Sequence, residues 1–288
     1  MVRTRDAAAL DQWYAVETLT DVTAAPRANR LLGQDIVSRR GAGGAAMAHA
    51  MGPDGRPGPA LPVRERYGCL WTTLGSPARA IFDLAEAAET DRRVVLCGWV
   101  TMRASGPRVV ENFLDMAHFP FVHTGILGAE PHTEVPRYQA EVRRDVDEVW
   151  ATNCRFFQPR IAATEAAGDF ARLTYRVPAP LVVMLYRVCP SAPERLDAIA
   201  LFIQPIEEDL CRAQPVMYLV DAVSEQAALL NFEQVIFLQD RIIVENQRPV
   251  LLPLDPRAEI PTQADGSSVT YRRWLKEKGW RYGTTGPA

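Results

Sequence analysis

The stretch Asn112-Phe113-Leu114-Asp115-Met116-Ala117-His118-Phe119-Pro120-Phe121-Val122-His123 gathers one carboxylate and two of the chain's four histidines into twelve residues. Two imidazoles and one carboxylate on one side of an iron ion, with other positions left open, make the facial triad of non-haem iron(II) oxygenases. The stretch supplies the imidazoles. The carboxylate is then sought where an acid interrupts an otherwise apolar helix stripe. On the run from Ser224 to Arg248, the residues Leu229, Phe232, Ile236, Ile243 and Gln247 share a helical face, and Asp240 falls between Ile236 and Ile243. A buried carboxylate is costly unless a cation or hydrogen-bond donors satisfy it.

Residues five apart point about 140° away from each other on a regular helix, so His118 and His123 cannot both serve one ion on an unbroken helix. Pro120 removes a backbone donor and disfavours helix at Phe119, which predicts a helix from Pro107 to His118 that ends or bends there. Asp115, three residues before His118, lies beside it and can accept the proton of the imidazole nitrogen that faces away from a metal. Asn112 continues that face.

Read as NxxDxxHxxxxH, residues 112–123 resemble the mononuclear-iron motif of the Rieske non-haem iron oxygenase family. The segment Gln239-Asp240-Arg241-Ile242-Ile243-Val244-Glu245-Asn246-Gln247 is similar to the helix bearing the third ligand in its monooxygenase and demethylase branch. Leu252-Pro253-Leu254, then Asp265 and Tyr271-Arg272-Arg273-Trp274-Leu275, resemble that branch's last helix. Residues 12–16, 32–37 and 66–71 look like Rieske-domain strands. The resemblance implies His118, His123 and Asp240 as Fe(II) ligands. It casts Asp115 as the acidic link between an iron histidine and an incoming electron donor, with Asn112 as a further catalytic candidate on the same face.

A Rieske cluster needs two cysteines and two histidines in paired loops. Before Asn112 the chain has only His49, Cys69 and Cys97 in those residue types, with no Cys-x-His or Cys-x-x-His pair. Where the ligand loops belong, residues 41–62 read as a Gly/Ala/Pro-rich connector. No [2Fe-2S] cluster of its own is therefore expected, and electrons must come from NAD(P)H through a separate Rieske-containing reductase. Within the family this resembles the N-demethylases of methylated xanthines in bacterial caffeine degradation. That implies conversion of 7-methylxanthine and O2 to xanthine and formaldehyde. It also implies an oligomeric complex that includes a glutathione-S-transferase-like structural subunit. Asn231, Phe232, Ile236 and Phe237 are the candidate substrate contacts, although Asn231, nine residues before Asp240, falls on the opposite helix face.

Other readings of the same residues stay open. Asp240 could pair with Arg241 or Arg248 on a solvated face. The triad could hold zinc for hydrolysis, the substrate could be a small aromatic compound that is O-demethylated or hydroxylated, or the chain could be a non-catalytic partner subunit. His49 and His132 read as surface or loop residues, Cys69 and Cys97 as small core residues.

The whole chain of 288 residues, 48% hydrophobic and 23% charged, can bury one large domain and a small one. A net charge of −3 without a Lys/Arg block argues against nucleic acid. No apolar run approaches the roughly 20 residues of a membrane span, and the first dozen residues lack a signal-peptide core. Five scattered cysteines suit free thiols and a cytoplasmic setting. The fold class is α+β. A degenerate Rieske-like β domain (residues 1–76) precedes a catalytic domain (residues 77–288) of helix-grip form, an antiparallel sheet around a long helix. Strands are predicted at 93–100, 145–157, 171–176, 181–188, 198–204 and 215–220. The long helix is predicted to begin at a Ser224 cap and a last helix near Asp265.

Overall fold

A computed structural model describes residues 4–160, 168–189, 192–221, 223–255 and 257–286. The amino-terminal part is α1 (Ala7–Leu10) followed by β1 (Tyr14–Thr18), β2 (Arg27–Leu31), β3 (Gln34–Arg40), β4 (Ala46–Met51), β5 (Pro57–Leu61), β6 (Val63–Arg66) and β7 (Cys69–Thr72). These strands form two antiparallel sheets, β1-β7-β6 and β2-β3-β4-β5. Three readings change here. Leu32 and Gly33, expected to open a strand, are the two-residue turn between β2 and β3, with φ of 51° and 76°. Tyr67 and Gly68 do the same between β6 and β7, at 54° and 73°. Paired positive φ angles match the right-handed twist of the flanking strands, and they override the strand propensity of Leu and Tyr. The expected connector at residues 41–62 is β4 and β5, with short turns at Gly44 before β4 and at Gly55 between β4 and β5, whose φ of 79° and 73° suits glycine.

The larger part contains β8 (Arg93–Leu96), β9 (Val100–Met102), α2 (Gly106–Leu114), α3 (Phe119–Val122), β10 (Gln139–Arg143), β11 (Glu148–Gln158), β12 (Asp169–Ala179), β13 (Val182–Cys189), β14 (Ala192–Glu207) and β15 (Leu210–Leu219). α4 (Gln226–Asn246) and α5 (Gly266–Glu277) complete it. β10 to β15 pair in sequence order, each antiparallel to the next, and β15 also pairs with β8 and β9. This is a mixed α+β fold with a large antiparallel sheet.

Period-two alternation assigns each sheet face a partner. On β13 and β14, Val182, Met184, Tyr186, Ala198, Ala200 and Phe202 turn to the amino-terminal strands and pack with Trp71 and Ile81. Val183, Leu201 and Ile203 turn the other way, into the core shared with α2, α4 and α5. Two backbone bonds, Leu32 N–H to Pro205 O (2.8 Å) and Gly33 N–H to Ile206 O (2.9 Å), tie the β2–β3 turn to the large sheet. All five cysteines are buried. No described helix is long and apolar enough to cross a membrane.

Ser105 caps α2 by accepting from Arg108 N–H, with Pro107 in the first turn where its missing donor is harmless. The helix ends at Leu114, four residues earlier than predicted. For α4 the expected Ser224 cap is absent: Glu225 holds the N-cap position without a side-chain bond, and Ser224 N–H donates instead to Asp221 Oδ1 (2.8 Å).

Arg108 is fully buried and pairs with Glu111 (3.0 Å) and Glu259 (2.6 Å), while its Nε and Nη2 donate to Pro249 O. Arg272 of α5 bridges the same two glutamates, so four charges clamp α2, α5 and the segment after α4. Removing one member of a buried ion network strands its partners. Arg108→Met is therefore expected to cost about 3 kcal/mol or more of unfolding free energy in urea denaturation, whereas a loss under about 1 kcal/mol would place the network among weak surface pairs.

Candidate metal centre

Leu114 ends α2 because Asp115 turns extended, with φ −84° and ψ 127°. Its Oδ1 then accepts Ala117 N–H (2.8 Å) and fixes the turn. His118 follows with helical φ and ψ at the start of α3, Pro120 lies in that helix's first turn, and His123 terminates it. The break expected at Pro120 thus occurs at Asp115. Pro120 starts a new short helix, where its lost N–H needs no partner.

The two imidazoles meet at Nε2, 3.2 Å apart. Asp240 reaches in from α4, its Oδ1 lying 3.3 Å from His118 Nε2 and 3.0 Å from His123 Nε2. Among the described residues this is the one group of three or more His, Cys, Asp or Glu side chains whose donor atoms converge closely enough for an ion. For metal–ligand bonds of about 2.1 Å, donors 3.0–3.3 Å apart subtend about 90–105°. They fit adjacent corners of one face, so the residues present suit a divalent ion such as Fe(II), with the opposite side open.

The outward nitrogens are also held. His118 Nδ1 lies 2.9 Å from Asp115 Oδ2, and His123 Nδ1 lies 2.8 Å from Gln239 Oε1. A carboxylate and an amide oxygen accept N–H at Nδ1, so each ring keeps Nε2 for the shared point. Burial opposes charge on His118, but Asp115 and Asp240 outweigh it and raise its pKa to about 9. Burial likewise opposes Asp240, and the two histidines outweigh it, lowering its pKa to about 2. The metal-free group is accordingly a compact imidazolium–carboxylate cluster.

Behind the donors runs a cavity between α4 and the sheet. It is lined by Asn112, Phe113, Phe119, Leu127, Leu185, Ile199, Phe232 and Ile236, with polar groups at Gln158, Tyr175, Arg187 and Glu233. Phe232 and Ile236 are thus among its walls. Phe237 does not line it; at 5% exposure it packs into the main core. Asn231 is exposed and outside the cavity, as a half-turn offset from Asp240 requires. Ile243, assigned to the inward stripe, is 44% exposed, because the buried stripe runs through Leu229, Glu233, Phe237 and Val244.

Two residues escaped the sequence reading. Gln239 precedes Asp240, and only the fold shows that it reaches His123. Glu233 had a usable signal, an acid in an apolar stripe seven residues before Asp240. It is 6% exposed, and burial raises its carboxyl pKa to about 7, with Arg187 opposing and Asp240 adding to the rise.

A second, wider groove opens from Asn112, Asp115 and His118 toward solvent between α4 and α5. Its walls carry Ile242 (63% exposed), Ile243, Val269 (43%) and Ile260 (94%). Asn112 borders both spaces. His49 bonds to Gly58 O on the amino-terminal sheet (3.2 Å) and His132 packs on Phe157, so neither joins the donors.

Residues 102–279 match the family of the vanillate O-demethylase oxygenase C-terminal domain. The chain is 40% identical over 277 residues, covering 96% of both proteins, to a "probable methylxanthine N7-demethylase NdmC" of Pseudomonas sp. (strain TJI-51). It is 25% identical to the methylxanthine N1-demethylase NdmA of Pseudomonas putida, over 74% of this chain and 59% of that one. Among solved structures, Pseudomonas putida CBB5 NdmA with caffeine superposes with a TM-score of 0.74 at 19% identity, covering 94% of this chain and 92% of that one. NdmB from the same source gives a TM-score of 0.74, also at 19% identity, with 94% and 93% covered.

The Glu233 carboxyl yields a stability test. Its folded pKa lies above its ordinary value, so the native state holds a proton that the unfolded chain releases, and stability falls as pH rises from about 4.5 to 7. The full loss amounts to about 3 kcal/mol. Glu233→Gln in the metal-free protein should thus gain about that much more, relative to the parent, at pH 8 than at pH 5 by urea denaturation. An equal offset at both pH values would show an unshifted carboxyl.

Proposed function

Because the chain belongs to the Rieske oxygenase catalytic-domain family, we propose that it is the oxygen-activating subunit of a methylxanthine N-demethylase, with 7-methylxanthine as substrate. The observation that carries this reading is the convergence of His118, His123 and Asp240 at the end of an apolar cavity. His118, His123 and Asp240 would hold Fe(II). Asp115 and Gln239 would fix the two imidazole tautomers. When bound, iron would supply the oxidising chemistry of dioxygen at the methyl carbon.

The overall reaction balances as N–CH3 plus O2, two electrons and two protons giving N–CH2OH and water. The carbinol then loses formaldehyde and leaves N–H. Phe113, Phe119, Phe232 and Ile236 exclude water from the cavity and hold a flat ring beside the donors.

We read residues 1–76 as a degenerate Rieske-like domain and residues 77–288 as the catalytic domain, with α4 on the large sheet as the helix-grip element. Short hairpin turns stand where cluster loops would be, Cys69 and Cys97 are buried, and His49 is committed to Gly58. Electrons are then supplied by a separate Rieske-containing reductase drawing on NAD(P)H. The groove of Ile242, Ile243, Ile260 and Val269 suits its docking, since Asp115 and His118 open into it. A glutathione-S-transferase-like subunit is a further partner in this reading.

Iron-loaded protein with NADH, a Rieske-containing reductase and 7-methylxanthine is expected to release formaldehyde and xanthine in equal amounts, and neither without the reductase. Release from O-methylated arenes alone would overturn the substrate. Asp240→Ala should weaken iron binding at least about tenfold by metal analysis after dialysis. Undiminished iron would remove Asp240 from the donor set. Ile242→Lys with Ile260→Lys should keep iron content but cut formaldehyde formation about tenfold at limiting reductase. An unchanged rate would move the docking face elsewhere.

A further inference from the structure

The cavity behind the donors is apolar except at a few points, and two of those points are unsatisfied. Tyr175 Oη and Gln158 Oε1 are buried with no hydrogen-bond partner among the described residues; their residues are 1% and 3% exposed. Both line the cavity, as does Glu233. A buried polar atom left unpaired costs about 1–3 kcal/mol, so a ligand that pairs it recovers that amount, whereas a hydrocarbon ring leaves the penalty standing.

The positions of these groups are informative. Gln158 pairs with Asp169 in the β11–β12 ladder, six residues from Tyr175, about 20 Å along the strand. They therefore line the cavity from well-separated points on the sheet. Tyr175 meets Phe113, two residues before Asp115, edge to face with ring centroids 6.3 Å apart, and so stands at the metal end. Glu233 is two helical turns before Asp240, about 10 Å along α4, and within reach of the Asp240 and His123 charges.

We propose that Gln158 reads the lactam edge of the purine's six-membered ring remote from the methyl group being removed, while Tyr175 donates to the ring carbonyl oxygen near that group. This rests on the methylxanthine reading and deepens it. The Gln158 amide offers a donor and an acceptor side by side, the complement of a ring N–H next to C=O. A methyl group on the lactam nitrogen abolishes the N–H and leaves the Gln158 amide unpaired. The site thus accepts xanthines methylated at the end that faces the donors and rejects those methylated at the far edge.

The test is equilibrium binding of 7-methylxanthine and 1,3,7-trimethylxanthine to the iron-loaded full chain under anaerobic conditions, by calorimetry, without turnover. The parent should bind 7-methylxanthine at least about tenfold tighter than the trimethyl compound. Gln158→Leu should bring the two within about threefold, mainly by weakening 7-methylxanthine. Tyr175→Phe should weaken both about equally, since both carry the carbonyl oxygen, and leave their ratio unchanged. Retained trimethylxanthine binding in Gln158→Leu shows that the variant is folded. A Gln158→Leu ratio equal to the parent's overturns the lactam assignment alone. A parent that binds neither xanthine overturns the methylxanthine reading and the assignment with it.

Discussion

Three donor atoms held 3.0–3.3 Å apart, two imidazole nitrogens and one carboxylate oxygen, are the constraint around which this molecule is organised. They come from a loop after α2 and from the middle of α4, more than a hundred residues downstream, so both elements must be fixed on the same sheet face. The packing serves that end. Alternate residues of β13 and β14 turn toward the helices, and the Arg108–Glu111–Glu259–Arg272 cluster pins α2 to α5. Asp115 and Gln239 add direct hydrogen bonds to the rings.

Much of this was legible because the chemistry-bearing residues break local rules. A histidine pair around a proline and an acid on an apolar stripe are conspicuous in a chain with four histidines. The large sheet was legible from alternation, and its strands fall close to their expected places. What misled was local backbone. Asp115, rather than Pro120, ends α2, because its side chain gives the turn a better partner than another helical residue would. Leu32 and Tyr67 look like strand residues and are turn residues, since the hairpin twist, not propensity, fixes their φ.

The helix stripe was misjudged by about one position, which moved Ile243 inward, left Glu233 unassigned and put Phe237 on the pocket wall instead of in the core. Period alone cannot say which side of a helix rich in apolar residues meets the sheet. Phe232, Ile236, Phe237, Ile242 and Ile243 together cover most of the circumference of α4. The cavity at the Phe232–Ile236 part of the helix and the groove at its Ile242–Ile243 part together explain why so much of it is apolar.

α4 is one continuous element that bears Glu233 and Phe232 on the cavity, Gln239 and Asp240 at the donors, and Ile242 and Ile243 on the groove. A rigid rod transmits axial shift and rotation without attenuation over this length. An occupant of the groove and an occupant of the cavity would both bear on this one helix, and any shift of it that favours one would change the affinity of the other by the same free energy. Occupation at one end would be felt at the other as a change in the separation of Asp240 from the two imidazoles.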